Sequence, residues 1–221
     1  MASKVVNHEL NKYVLPFNRI SVDNQKIRGL TKPMKRIFFK GFKKPQTRKT
    51  WSSKKLGTLV HSQVEKVIKK RPLKKPHAFT SQIIKFLQGY SNLHSEVPLL
   101  SPSGYFLTYS DVICESSKGL TVISLKTGYN QSYNKGLMNC KHLPTKLSNS
   151  YKTHHQLQLA LEVACIEQDY KLKVGDAFVL YVGYGPKKKL KVDPLGYWAR
   201  TDKAQKFLLH CMNKQNKKMF Y

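Results

Sequence analysis

Apolar residues recur at spacings of three and four between Lys55 and Lys70, where Leu56, Leu59, Val60, Val64, Val67 and Ile68 mark one face of a helix. Ser52 or Ser53 supplies its cap, and Arg71-Pro72 ends it. A second helix opens at Thr80 or Ser81, carries Ile83, Ile84, Phe86 and Leu87, and closes near Gly89. The period then falls to two. Glu96–Leu100 reads as a short strand that Pro98 assigns to an edge or a strand start. Tyr105–Cys114 alternates, and Leu120–Lys126 is a β-branched run. With turns at Ser101–Gly104 and Ser116–Gly119, these three are expected as consecutive antiparallel strands. A long polar loop over 127–150 leads to a helix over Tyr151–Glu167. A buried strand over Ala177–Tyr184, a hairpin partner over Leu190–Trp198 and a last helix over Lys203–Asn213 complete the chain. This order predicts an α/β (or α+β) domain with one mixed central sheet flanked by helices. Residues 1–50 show no sustained period, although Ile37-Phe38-Phe39 would be wasted in a free tail, so part of this segment is expected to pack on the domain. The expected organisation is a basic N-terminal arm over 1–54 and a single domain over 55–221.

Charge narrows the class of partner. The 221 residues hold 40 Lys and Arg against 12 Asp and Glu, a formal net charge of +28, so a polyanion is the first partner to consider. Much of the excess lies in residues 1–76, where Glu9, Asp23 and Glu65 are the only acids. Lysine far outnumbers arginine, which suits neutralisation of a phosphate backbone better than reading of bases. A merely soluble or ribosomal-type basic protein would show the same charge, whereas no long basic amphipathic helix points to a membrane surface. No stretch of eighteen apolar residues is present, so no membrane span is expected, and the N-terminus lacks the apolar core of a secretory signal. Cys114, Cys140, Cys165 and Cys211 are too widely spaced for a zinc site or a disulfide framework, which fits a reducing, intracellular compartment.

Three groups of residues carry candidate chemistry. Asp111 closes the run Tyr105-Phe-Leu-Thr-Tyr-Ser-Asp, and Lys126 closes Val122-Ile-Ser-Leu-Lys before Thr127-Gly128. Two strands would thus deliver an acid and an ammonium to one place; a strand-end salt bridge is the plainer alternative. In Gly57-Thr-Leu-Val-His61-Ser-Gln-Val-Glu65, His61 and Glu65 share a helix face, as a solvated pair also would. On the late helix Gln156 and Gln158, two apart, cannot share a face, so one points inward, where a satisfied core amide is the alternative to a functional group.

The order Gly-x-x-x-His61, Glu96-x-Pro-Leu, Asp111, x-x-Lys126-Thr-Gly and a Gln156-bearing helix resembles the PD-(D/E)xK nuclease superfamily, in its RecB-like and lambda-exonuclease-like (YqaJ) branch. The layout over residues 55–185 is similar to that of the mitochondrial genome maintenance exonucleases. The resemblance implies a restriction-endonuclease-like core and hydrolysis of DNA phosphodiester bonds, exonucleolytic, in viral or organellar DNA processing. The compartment would accordingly be nucleus or virion, or the mitochondrion. It implies Mg²⁺ or Mn²⁺ held by Asp111, His61 and the carbonyl of Leu125, with Lys126 orienting the attacking water and Gln156 positioning water or substrate. Ser124 departs from the pattern, which calls for Asp or Glu there. A hydroxyl cannot replace that charge, so the acid has migrated, with Glu65, Glu96 and Glu115 as substitutes, or the fold survives as a catalytically impaired DNA-binding or packaging protein. Lys69, Lys70, Arg71, Lys74, Lys75, Lys187, Lys188 and Lys189 would line a phosphate channel, with Phe79, Tyr129 and Tyr133 available to stack on unpaired bases. A basic RNA- or ribosome-associated protein is the remoter alternative.

Overall fold

The computed structural model describes residues 21–22, 25–26, 28–39, 48–127, 143, 147–148, 150–184, 187 and 189–217. Three two-residue strands, β1 (Ser21–Val22), β2 (Gln25–Lys26) and β3 (Arg28–Gly29), precede helix α1 (Thr31–Phe38). Helices α2 (Arg48–Ile68) and α3 (Ala78–Leu87) lead into strands β4 (Ser91–Ser101), β5 (Phe106–Ser116) and β6 (Gly119–Thr127). Helix α4 (Tyr151–Ala164) continues through a wider turn (Cys165–Asp169) to β7 (Val174–Tyr184), β8 (Lys189–Pro194) and α5 (Asp202–Lys217).

The sheet runs β4–β5–β6–β7–β8, mixed as expected: β6 and β7 pair in parallel, while β4–β5, β5–β6 and β7–β8 pair antiparallel. A parallel pair needs a crossover, and α4 is that crossover. Strand β4 is an edge, which suits Pro98. Two apolar clusters sandwich the sheet. Val60, Val64, Ile83 and Leu87 from α2 and α3 pack on Val112, Ile123, Leu125 and Leu180. On the other face, Leu157 and Leu161 of α4 and Leu208 and Met212 of α5 pack on Ile113, Val122, Val179 and Tyr181.

Several boundaries differ from the sequence reading, each for a local reason. Helix α3 starts earlier because extended His77 caps it, its Nδ1 accepting from Phe79 N at 3.2 Å, while Thr80 Oγ1 donates to Gln63 Oε1 at 2.7 Å. Helix α4 starts as expected, with Ser150 Oγ accepting from Thr153 N. The expected hairpin partner over Leu190–Trp198 ends as a strand at Pro194 and continues as a short 3₁₀ turn at Tyr197–Ala199. Asp111 lies in the middle of β5 and not at a strand end.

Part of the N-terminal segment packs on the domain as expected, but the domain begins well before residue 55. Leu30, Met34, Phe38 and Phe39 are buried in the cluster beneath α4 and α5. Strand β3 pairs in parallel with Phe106 and Leu107 of β5, and Leu30 N donates to Leu107 O at 3.1 Å. Residues 28–39 are therefore part of the core. Deleting residues 1–54 is expected to abolish cooperative unfolding, and Phe38→Ala to lower stability by about 3–5 kcal/mol, both read from denaturant melts. Full stability in a chain starting at residue 55 would show that α1 is dispensable.

Candidate metal centre

Asp111 sits where the sheet opens. The β5–β6 ladder runs from Ser116↔Gly119 only as far as Val112↔Ile123. Along the same strand, β3 pairs no further than Phe106 and Leu107. In the gap between, the side chain of Asp111 takes the place of a neighbouring backbone. Its Oδ2 accepts from Leu125 N at 2.7 Å and from Ser124 Oγ at 3.3 Å. It is through this N–H that Leu125 enters the site.

Glu96 stands opposite Asp111, bracketed by the pairs Ser95↔Val112 and Val97↔Ser110. Its φ of 50° is left-handed, an unfavourable conformation for a residue with a Cβ. The consequence is visible in the packing: Leu93 belongs to the cluster under α2 and α3, whereas Val97 and Leu99 belong to the opposite one. Alternation would place all three on one face. Strand β5 switches in the same way between Phe106 and Val112. Both strands turn over at the level of Glu96 and Asp111, which brings the two carboxylates to the gap.

Helix α2 supplies the third group. It runs so close to the end of β6 that a Cβ on Gly57 would lie 3.1 Å from Thr127 Oγ1, and one turn later His61 reaches the gap. His61 Nδ1 is 3.3 Å from Asp111 Oδ1 and 3.7 Å from Glu96 Oε1. A ligand atom from each of His61, Glu96 and Asp111 lies within 4.8 Å of the other two. One imidazole nitrogen and two carboxylates form a donor set that a divalent cation can use. Beside it opens a cavity of about 430 Å³ lined by Gly57, Thr58, His61, Ser62, Glu65 and Glu96.

From the α4 face comes Lys126, its Nζ 2.8 Å from Ser124 Oγ and 3.6 Å from Asp111 Oδ2. Ser124, fully buried, accepts from the lysine and donates to the aspartate, linking the two. The charges shift accordingly. Burial opposes ionisation of Asp111, but Lys126, His61 and the Leu125 N–H outweigh it and lower its pKa to about 2. Burial also opposes a charge on His61; hydrogen bonds to Asp111 and Glu96 and the charge of Asp111 prevail, raising its pKa to about 9. Glu162 on α4, 1% exposed, is raised from 4.5 to about 8 by burial and then by the charge of Asp111, with Lys126, Gln158 and Ser110 acting in the opposite sense.

Other candidates lie elsewhere. Glu115 accepts from Asn92 Nδ2 at 2.6 Å near the far end of β5, four residues and roughly 13 Å from Asp111. Glu65 is paired with Lys69 at 2.6 Å and lines the cavity without joining the cluster. Gln156 is a satisfied core amide: Nε2 donates to Asp193 Oδ2 at 2.8 Å and Pro194 O at 3.1 Å, and Oε1 accepts from Gly196 N at 3.2 Å. It is Gln158 that turns toward the site, through Glu162 Oε1 at 3.0 Å. The signal in the sequence was a lone acid in the run Leu157–Ala164, four residues after a glutamine. Phe79 packs into the core against Gly183, whose φ of 69° and lack of a Cβ admit the ring. Lys69, Lys70, Arg71, Lys74 and Lys75 are exposed, on the end of α2 and the loop after it. Gln63 ties that loop back to α2, accepting from His77 N at 2.8 Å. Lys187, between β7 and β8, and Lys189, at the start of β8, are exposed at the end of the sheet where β6 delivers Lys126. Lys188, Tyr129, Tyr133 and Cys140 lie outside the described residues. Cys114, Cys165 and Cys211 are free thiols, and among the described residues no helix is long and apolar enough to cross a membrane.

No protein-family model matches this chain, and no curated protein matches it. One solved structure, described as the crystal structure of SSO0001, aligns over 100% of this chain and 88% of its own, with 13% identity and a TM-score of 0.39. A likeness that slight carries no argument.

The pKa shifts set a pH dependence for the metal-free protein. The raised His61 stabilises the fold fully below 6.5 and loses that contribution as pH rises toward about 9. Glu162, raised from 4.5 to about 8, likewise loses its contribution across that interval. Asp111, lowered from 3.8 to about 2, contributes above 3.8 and loses it as pH falls toward 2. Stability in chelator should therefore decline from pH 5 to pH 9, less steeply in His61→Ala and Glu162→Gln. Denaturant midpoints that stay flat or rise over that interval would contradict this charge assignment.

Proposed function

We propose that the chain is a metal-dependent deoxyribonuclease of the PD-(D/E)xK kind in which Glu96 supplies the acid missing at Ser124. The observation that carries this reading is the convergence of His61, Glu96 and Asp111 ligand atoms within 4.8 Å, beside a lysine 3.6 Å from Asp111. The two carboxylates and the imidazole would hold Mg²⁺ or Mn²⁺. A bound cation of this kind makes water a better nucleophile and polarises the phosphoryl oxygens. Nitrogen donation favours Mn²⁺, because Mg²⁺ is the harder ion and prefers oxygen and its own waters.

The protein's own groups divide the remaining work. Asp111, held ionised down to a pH of about 2, keeps its charge under any physiological condition. Lys126 presents an ammonium beside it, where negative charge develops on a phosphodiester undergoing attack. Its side chain is only 15% exposed, so little water competes for that ammonium. The exposed cations at the end of α2 and at the β7–β8 edge supply the long-range attraction for a polyanion. DNA is the substrate this reading assigns, with attack at strand ends, as in the nucleases the site pattern resembles.

Purified full-length protein with Mn²⁺ is expected to degrade labelled DNA, and Lys126→Ala to reduce turnover by at least about 100-fold, a size typical of lost transition-state charge stabilisation, while DNA binding changes little. Absence of Mn²⁺- or Mg²⁺-dependent cleavage on single strands, duplexes and flaps would sink the proposal. Mn²⁺ affinity, read by calorimetry, should rise with pH toward about 9 as His61 gives up its proton; His61→Ala should flatten that dependence. Ser124→Asp should tighten Mn²⁺ binding yet destabilise the metal-free protein, since its carboxylate would face Asp111 across the present 3.3 Å contact.

A further inference from the structure

Helix α4 lies on the face of the sheet that carries Ser124 and Lys126, for Val122, Val179 and Tyr181 on that face pack with Leu157 and Leu161, and the register pairs Lys126 with Tyr181. In the middle of this apolar layer sits Glu162, between Leu161 and Val163, all three buried. A buried carboxyl is costly unless it is fully paired. Glu162 is only half paired: Oε1 accepts from Gln158 Nε2 at 3.0 Å, while Oε2 is buried with no hydrogen-bond partner. Ser110 Oγ, from the residue preceding Asp111, is likewise buried without a well-formed hydrogen bond, although it approaches Glu162 closely enough to lower its pKa. An unfilled acceptor in a core marks a place where something else is meant to donate.

Lys126 is the charged donor on the same face of the sheet. Its ammonium has three hydrogens; one is directed to Ser124 Oγ at 2.8 Å and one faces Asp111 Oδ2 at 3.6 Å. Its charge is felt at Glu162, lowering that group's pKa against the effects of burial and of Asp111. Resting on the nuclease reading above, we propose that Glu162 is a positioning residue, the rear anchor that takes over the Lys126 ammonium when a divalent cation engages Asp111. Once Asp111 is committed to a cation, its carboxylate no longer compensates the lysine, and the two positive charges repel. Without a second acceptor Lys126 would swing out toward solvent. With Glu162 Oε2 behind it, the ammonium stays beside the gap in which the phosphate is bound. Gln158 fixes the carboxyl in the orientation that leaves Oε2 free for this.

The test uses full-length protein and two variants. Glu162→Gln keeps an acceptor without the charge, and Glu162→Leu matches the apolar neighbours and removes both. The first measurement is independent of cleavage: acylation of Lys126 by a small amine-reactive reagent, resolved by peptide mass spectrometry, with and without Mn²⁺. Mn²⁺ should leave Lys126 protected in the wild type. In Glu162→Leu it should raise the Lys126 acylation rate at least fivefold, with Glu162→Gln between. The second measurement is steady-state cleavage of end-labelled DNA, where kcat should fall at least tenfold in Glu162→Leu while KM and Mn²⁺ affinity stay within twofold. A change in acylation in a protein that never cleaves DNA would uphold the anchor and overturn the nuclease reading. Cleaving protein in which neither Lys126 acylation nor kcat moves in a folded Glu162 variant would overturn the anchor. Either variant alone suffices if the other does not fold.

Discussion

The carboxylate of Asp111 in the opening of the sheet is the contact on which the rest of the site depends. On the side away from β4, strand β5 has no paired neighbour at Asp111, because β6 has already parted from it and β3 ends before it. A buried backbone N–H left there without a partner would destabilise the sheet by about 1–3 kcal/mol. Asp111 removes that cost for Leu125, and the same oxygen holds Ser124 and faces Lys126. Its other oxygen faces His61 from the opposite helical layer. One side chain therefore joins the two faces of the sheet, with the imidazole arriving from α2 and the lysine projecting toward α4. Removal of the carboxylate would leave a hole in the sheet as well as a site without its central charge.

Two carboxyls in this neighbourhood are driven in opposite directions, Asp111 to about 2 and Glu162 to about 8. Environments that separate like groups in this way give them different tasks. Asp111 is made permanently anionic by the cations and donors around it. Glu162 is held mostly neutral by the apolar layer and by Asp111 itself, which makes it sensitive to whatever later draws the charge of Asp111 away. In a chain with only 12 acids among 221 residues, Glu96, Asp111 and Glu162 all belong to this one neighbourhood. The scarcity of acids elsewhere leaves the rest of the chain strongly basic, while three acids gather at this one place.

How much of this was legible depended on range. Helix α2, the three central strands and α4 are periodic over many residues, and local pattern was enough to find them. Asp111 and Lys126 were legible because they break such patterns. Packing was expected around Ile37-Phe38-Phe39, yet residues 28–39 were left outside the domain because their apolar residues are interleaved with lysines and their period is too short; burial there comes from pairing with β5 and from α5, far along the chain. The face switch at Glu96 was illegible in principle, since strict alternation gives no hint that a glutamate adopts φ 50°. Gln156 was preferred to Gln158 for want of phase. A two-residue spacing shows that the pair diverges but not which one faces the sheet gap, and Asp193, which claims Gln156, is 37 positions away.

Ser124 takes a different meaning once the charges are counted. Glu96 and Asp111 bring two negative charges, and with His61 neutral they balance a divalent cation without a third acid. Adding Lys126 leaves the loaded centre with a net positive charge, which a phosphodiester, itself singly negative, would complete. An aspartate at position 124 would neutralise that surplus and would stand within the present 3.3 Å of Asp111, a repulsion costly to hold in a half-buried site. Serine avoids this and still performs the task that backbone geometry imposes, passing a hydrogen bond from Lys126 to Asp111. On the proposed nuclease reading the acid would be displaced to the opposite side of Asp111, onto β4, where Glu96 adopts a left-handed, strained φ.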